Sequence, residues 1–326
     1  MRIEDFYRGL PVLVTGATGF IGSHLAERLV AMGARVRCLV RRTSRLDRLP
    51  QGVELACGDL ATGEGLADAL REVALVFHLA GVTKALSPSE YVRGNVLATR
   101  NLVLALERSS ARLVHVSSLA AVGPSPDGTP VREDVEPRPV SLYGRSKLEA
   151  ERAVLDSSVV SRAVILRPPV VFGPRDEDVY QLFRMAAKGL ILVVGNPRTR
   201  FSVIFVHDLV DGLLAAGASH AGQGRTFFLA AEEGLSWRGL ADLAGKALGR
   251  SVRILRAPLA AAWLCAASAE IAGRMRGKPA IISRDKLREA RAGEWLCDPR
   301  RARLELGFVA GTPHDRAIAA TLGWYR

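Results

Sequence analysis

Tyr143 and Lys147, in the run Tyr143-Gly144-Arg145-Ser146-Lys147, are the first side chains whose types and spacing could do chemistry. Four residues along a helix return to the same face, so an ammonium can stand beside a phenol. A free tyrosine has a pKa of about 10, poorly matched to proton transfer at neutral pH. A lysine ammonium within about 4–6 Å favours the phenolate by roughly one to three units. Ser118, 25 residues before Tyr143, closes the apolar run Leu113-Val114-His115-Val116-Ser117. A third cluster, Gly16-Ala17-Thr18-Gly19-Phe20-Ile21-Gly22, follows an apolar run directly and opens a helix expected to start near Ser23. In that setting glycines let the backbone turn tightly and a pyrophosphate approach, while helix-end N–H groups meet the phosphates.

These residues need elements to hold them. Short β-branched runs at 11–15, 36–40, 53–55, 73–79 and 113–116 read as strands of a parallel sheet. Between them, 24–32 and 95–107 repeat apolar residues at three-to-four spacing, as crossover helices do. The fold class is α/β, a doubly wound parallel sheet. After Ala163-Val164-Ile165-Leu166 the alternation weakens, and Pro168, Pro169, Gly173 and Pro174 punctuate the chain. Segments 202–206 and 226–230 again look like strands. The expected division is a dinucleotide-binding domain over 1–168, to which 201–230 returns, with 169–200 and 231–326 forming a smaller, mainly helical C-terminal substrate cap.

The GxxGxxG spacing, the strand-end stretch from Ser118 to Gly123 and the YxxxK of Tyr143 to Lys147, in that order, resemble the extended short-chain dehydrogenase/reductases of the NAD(P)-dependent epimerase/dehydratase superfamily. The resemblance implies a Rossmann fold and a catalytic trio of Ser118, Tyr143 and Lys147. It further implies that Tyr143 exchanges a proton with a substrate oxygen that Ser118 holds, while Lys147 grips the cofactor ribose and tunes the tyrosine. Cofactor contacts carried over are Gly16, Thr18, Gly19, Phe20 and Ile21 at the pyrophosphate, and Asp59-Leu60, whose carboxylate approaches the adenine. Leu79, Ala80 and Gly81 wall the nicotinamide ribose, and Arg167-Pro168 leads to the nicotinamide end with Pro168 in contact. Ser117 is the alternative serine, but the stretch from Ser118 to Gly123 fits the family motif better, and Ser117 is expected to pack or to bond to backbone. Asn95, in a match to NVxGTxN with Ala98 in place of glycine, is expected to position its helix, and Asp208 to cap the helix it precedes.

Where NAD enzymes end the second strand on a carboxylate for the ribose hydroxyls, this chain has Val40, followed by Arg41, Arg42, Thr43 and Ser44. Cations and hydroxyls suit an added 2′-phosphate that a carboxylate would repel. NADP is the expected cofactor, with Arg41 and Arg42 at its phosphate.

Nucleotide-sugar members of the superfamily carry an RxxNxxGP-like segment whose asparagine contacts the diphosphate. Here it reads Arg167-Pro168-Pro169-Val170-Val171-Phe172-Gly173-Pro174, and Val170 offers no such hydrogen bond. The C-terminal run from Trp295-Leu296-Cys297-Asp298 through Leu306-Gly307-Phe308 resembles members grouped with 3β-hydroxysteroid dehydrogenases and dihydroflavonol reductases. A small-molecule substrate that is bulky and hydrophobic is therefore expected, with a nucleotide-sugar epimerase or dehydratase as the alternative. A binder without turnover is a third reading, opposed by the presence of both Tyr143 and Lys147.

The chain carries a net charge of +12, but its basic residues are mainly Arg scattered among acids, without the aromatic interleaving or motifs of a nucleic-acid binder. No nucleic-acid partner is expected. Cys38, Cys57, Cys265 and Cys297 are far apart with no zinc-ligand spacing, no metal is expected, and the acidic start Met1-Arg2-Ile3-Glu4-Asp5 is unlike a signal peptide. A cytoplasmic location follows as the expectation, and a homodimer is left open. The most apolar uncharged stretch, 257–269, falls short of the ~20 residues that cross a bilayer. Two readings remain for it: a helix laying its apolar face on the substrate over the cleft, which is favoured, or a peripheral membrane contact flanked by Arg250, Arg253, Arg256, Arg274, Arg276 and Lys278.

Overall fold

The computed structural model describes residues 2–325. Its first half runs α1 (Ile3–Tyr7), β1 (Pro11–Thr15), α2 (Phe20–Ala31), β2 (Arg35–Val40), β3 (Glu54–Cys57), α3 (Leu66–Ala69), β4 (Leu75–His78) and α4 (Pro88–Tyr91). A π-helical turn at Val92–Leu97 then leads to α5 (Ala98–Leu106), β5 (Arg112–Val116), α6 (Leu142–Leu155) and β6 (Ala163–Arg167). With β11 (Arg225–Phe228), these strands form a seven-stranded sheet in the order β11-β6-β5-β4-β1-β2-β3, every neighbouring pair parallel. Alternate side chains bury on opposite faces. Val12, Val14, Phe77 and Val116 pack with Leu25 of α2 on one side, and Leu13, Val76, Leu113 and Ile165 pack with Leu102 and Val154 on the other.

Register sets the site. Thr15 is level with His78, His78 with His115, and Val116 with Leu166, so the carboxyl ends of the strands open on one edge. A doubly wound sheet binds its ligand in such a crevice, where the strand order reverses between β1 and β4.

The second half contains β7 (Val170–Phe172), α7 (Glu177–Ala187), β8 (Leu190–Val194), β9 (Arg200–Phe201), β10 (Val203–Phe205) and α8 (Val206–Ala218) before β11. It continues through β12 (Leu235–Ser236), α9 (Trp237–Leu248), β13 (Arg253–Ala257), α10 (Leu259–Met275), α11 (Arg284–Arg291), α12 (Arg300–Leu306) and α13 (His314–Trp324). The segment expected to return to the main sheet divides. β11 pairs with β6, whereas β10 pairs with β7 in a separate two-stranded ribbon. Pro168 and Pro169 supply no N–H to continue the ladder beyond β6, so the chain leaves the sheet there. α8 still packs on the main core through Leu209 and Leu213.

Candidate active site

The glycine loop is shaped by collisions that only glycine avoids. Gly16 has φ +72°, and a Cβ there would lie 2.6 Å from the Ala80 nitrogen. At Gly22 a Cβ would lie 2.2 Å from the Gly16 carbonyl oxygen. The helix begins at Phe20, earlier than the Ser23 expected, because Gly19 takes the N-cap in an extended conformation. The cap has no side-chain hydrogen bond and the first turn holds no acidic residue, so the helix end favours an anion. These features fit a dinucleotide pyrophosphate beside Gly16, Thr18, Gly19, Phe20 and Ile21.

At the next strand end, Val40 is buried and Arg41 and Arg42 are exposed, and among the described residues neither guanidinium is paired with a carboxylate. The Arg41 amide donates to Ser44 Oγ at 3.0 Å and its carbonyl accepts from the Ser44 amide, which closes a turn over 41–44. Beyond β3, Asp59 Oδ1 accepts from the Ala61 amide, and the Leu60 carbonyl accepts from Asn101. Leu79 and Ala80 cross directly against Gly16 of the glycine loop, and Gly81 lies beside Asn95 and Lys147. Behind them His78 bridges Thr15 and Thr99, and burial pushes its pKa down to about 3, so it is a neutral strut.

Ser118 caps a short 3-10 turn, its Oγ accepting from the Ala120 amide at 3.1 Å, and its side chain acts on the Tyr143 phenol to lower its pKa against burial. Gly144 makes this apposition possible. A Cβ at that position would sit 2.2 Å from the Ala120 carbonyl oxygen, so glycine lets the start of α6 press onto the serine turn. Ser117 bonds through its amide to the Leu166 carbonyl, but its buried hydroxyl has no partner. Pro168 is buried and its carbonyl accepts from the Leu119 amide, tying the end of β6 to the same turn.

Lys147 is buried, and its Nζ donates to the Val116 carbonyl at 2.6 Å. Desolvation lowers its pKa to about 8, opposed by Glu151 one turn on. Glu151 in turn receives a bidentate pair from Arg167, with Nε to Oε1 at 2.9 Å and Nη2 to Oε2 at 2.6 Å. Arg167, expected only as a lead to the nicotinamide end, is thus the buried anchor of α6. The Tyr143 pKa is raised, chiefly by burial. The cation set against its ring differs from the one expected: Lys286 Nζ lies 5.3 Å from the ring centre, while the Lys147 ammonium is committed to Val116.

Lys286 belongs to α11, which the motifs left unread. Its neighbour Asp285 accepts from the Leu142 amide at 2.9 Å and the Tyr143 amide at 3.3 Å, so a carboxylate from the C-terminal region caps the helix that carries the tyrosine. Glu289 pairs with Lys286 at 2.9 Å and keeps a second, buried oxygen without a partner. The only local signal was Ser283, which caps α11. Nothing in the sequence announces a contact 142 residues away.

Two expectations about polar side chains change. Asn95 does not stand at a helix start. It lies inside the π-helical turn, where its amide clamps Val82 by both backbone groups and donates to Ser146 Oγ at 2.8 Å, joining the loop after Gly81 to α6. Asp208 is not the N-cap, because α8 begins two residues earlier, and its carboxylate binds the amide and hydroxyl of Thr312.

This architecture and motif order have counterparts. Residues 12–230 match the NAD dependent epimerase/dehydratase family, and the chain belongs to it. It is 30% identical to a ceramide reductase of Caulobacter vibrioides over 97% of this chain and 94% of that protein. It is 28% identical to 4-hydroxy-2-methyl-3-oxo-4-farnesyl-3,4-dihydroquinoline-1-oxide ketoreductase of Stigmatella aurantiaca, over 94% of each. Among solved structures, MoeE5 in complex with UDP-glucose and NAD superimposes with a TM-score of 0.76 at 27% identity, covering 97% of this chain and 98% of that one. The chain is an enzyme of the extended short-chain dehydrogenase/reductase type, close to the members that include sterol dehydrogenases and dihydroflavonol reductase-like proteins.

Proposed function

We propose that the chain is an NADP-dependent oxidoreductase exchanging hydride between the nicotinamide and a secondary alcohol or ketone of a bulky, hydrophobic substrate. The carrying observation is that the start of α6, with Tyr143, presses at Gly144 onto the turn that Ser118 caps, while Lys147 of the same helix is buried against the end of β5. When bound, the nicotinamide supplies or takes the hydride at the reacting carbon. Tyr143 transfers its proton to the substrate oxygen in reduction and recovers it in oxidation. Ser118 accepts from Ala120, which leaves its O–H to donate to that same oxygen. Burial keeps Tyr143 protonated at neutral pH, a state suited to reduction. Lys147 Nζ would lie 3.8 Å from a Cβ on Gly81, and beyond its bond to Val116 it keeps N–H donors that would hold the cofactor ribose.

Lipophilic substrates find support in Val170 and in the names of the ceramide reductase and the farnesyl quinoline ketoreductase. The similarity to MoeE5, solved with UDP-glucose, favours the alternative of nucleotide-sugar chemistry. A panel of sterol, ceramide-like and flavonol ketones and alcohols, assayed beside UDP-, GDP- and dTDP-sugars with each cofactor, decides between them. Turnover of lipophilic ketones is expected, and turnover confined to nucleotide sugars would overturn the reading.

For the cofactor, Arg41→Ala is expected to weaken NADPH binding roughly ten- to a hundredfold and to leave NADH nearly unchanged, since a charge-assisted phosphate contact is worth about 1.5–3 kcal/mol. Fluorescence titration measures both, and tighter binding of NADH by the unmodified protein contradicts the assignment.

A further inference from the structure

α10 is built inside out for a helix on a water-facing surface. Of its 17 residues only Ala266 and Gly273 are buried, two of the smallest side chains available. On the opposite face, two residues or about 200° around, stand Leu264 and Ile271, 72% and 59% exposed, followed on the same stripe by Met275 at 85%. The chain then folds back: a Cβ on Gly273 would lie 2.6 Å from the Lys278 carbonyl oxygen, and Arg284 bonds to Glu270. In the chain between those two ties stand Ile281 and Ile282, each 54% exposed. The segment expected to lie apolar face down over the cleft therefore turns Leu264, Ile271 and Met275 outward, while Trp263 is half-buried. It is α11 that meets the catalytic helix.

Charge identifies what covers this face. Residues 250–291 hold ten Lys and Arg against three Asp and Glu, so more than half of the net charge of +12 is concentrated here. The three acids are all engaged, Glu270 with Arg284, Glu289 with Lys286 and Asp285 with Arg288. Arg253, Arg256, Arg276 and Lys278 have no carboxylate partner among the described residues. A second copy joined face to face by a twofold axis would bring like cations together, which opposes that occupant. An anionic bilayer satisfies both halves of the surface at once, acyl chains for the apolar stripe and headgroup phosphates for the cations. No described helix is long and apolar enough to cross a membrane, so the contact is peripheral.

We propose that α10, with Ile281 and Ile282, is an interfacial anchor seated in the acyl boundary of an anionic lipid bilayer, with Arg274, Arg276 and Lys278 at the headgroups. The docking stands on the surface alone. Its consequence rests on the proposed function: α10 packs on α11, which caps the helix of Tyr143, so docking presents the reacting site to a substrate dissolved in the bilayer.

Flotation of the full chain with vesicles at physiological salt tests the anchor. Strong co-flotation is expected with phosphatidylcholine vesicles containing phosphatidylglycerol, and little with phosphatidylcholine alone. Leu264→Glu/Met275→Glu is expected to cut the partition coefficient at least ~10-fold. Arg274→Gln/Arg276→Gln/Lys278→Gln is expected to cut it roughly a hundredfold, each cation near the surface contributing about fivefold. The milder Leu264→Ser/Met275→Ser, at positions already in water, serves if the charged pair fails to fold. Absence of flotation by the unmodified protein overturns the proposal. So does a dimer that the apolar variants convert to monomer while flotation persists. Turnover of a water-soluble ketone is expected to be unchanged in these variants, and flotation without turnover of any ketone would strike the substrate reading and leave the anchor standing.

Discussion

α6 and α10 are of similar length, 14 and 17 residues, yet α6 buries six of its residues, including Lys147 and Glu151, whereas α10 buries two. Hydropathy alone would assign them the other way round. The charged groups of α6 are buried because each meets a partner in place: the Lys147 ammonium a backbone carbonyl, the Glu151 carboxylate a bidentate guanidinium. An unpaired charge there would be costly, and a paired one holds orientation. On α10 Leu264, Ile271 and Met275 stay outside, and the fully buried positions of the helix are an alanine and a glycine. Together the two helices show that burial follows the partners a fold provides. Side-chain type alone does not set it.

Tyr143→Phe removes one hydroxyl and is expected to lower turnover by two to four orders of magnitude, roughly the worth of a positioned proton donor. Cofactor affinity should hardly change. Steady-state assay beside fluorescence titration measures the two, and an active Tyr143→Phe would remove the tyrosine from the reaction.

Arg167→Met is expected to destabilise the fold by about 3–5 kcal/mol, because Glu151 is left buried and unpaired. Replacing both partners with apolar residues should restore much of that loss. Chemical denaturation of the single and double variants separates the cost of an orphaned carboxylate from the worth of the pair. Equal losses in both would show that packing, not charge, holds α6.

The smallest effect sharpens the link between the two halves of the chain. Lys286 favours the Tyr143 phenolate, so Lys286→Met should raise the tyrosine pKa further. In the reductive direction the alkaline limb of the kcat/KM profile then moves to higher pH, since the proton donor persists longer. In the oxidative direction, which needs the phenolate, the rate at neutral pH falls a few-fold. Lys286→Arg should return the profile toward the original. An unmoved limb in Lys286→Met would assign the lysine to packing alone.

Much of this protein was legible in its residues. The glycine spacing, the strand-end Ser118 and the Tyr143–Lys147 pair are local patterns, and each depends on backbone geometry within a few residues, which sequence order preserves. The parallel strands were readable for the same reason, as apolar runs with period and length. Long-range packing sets that α11 caps α6 through Asp285, that the cation against Tyr143 is Lys286, and that Arg167 anchors Glu151. It also sets that β10 leaves the main sheet and that Leu264, Ile271 and Met275 of α10 point outward. Those facts join residues up to 143 positions apart. They depend on how one packed surface meets another, and a single chain read in order has no local term for that meeting.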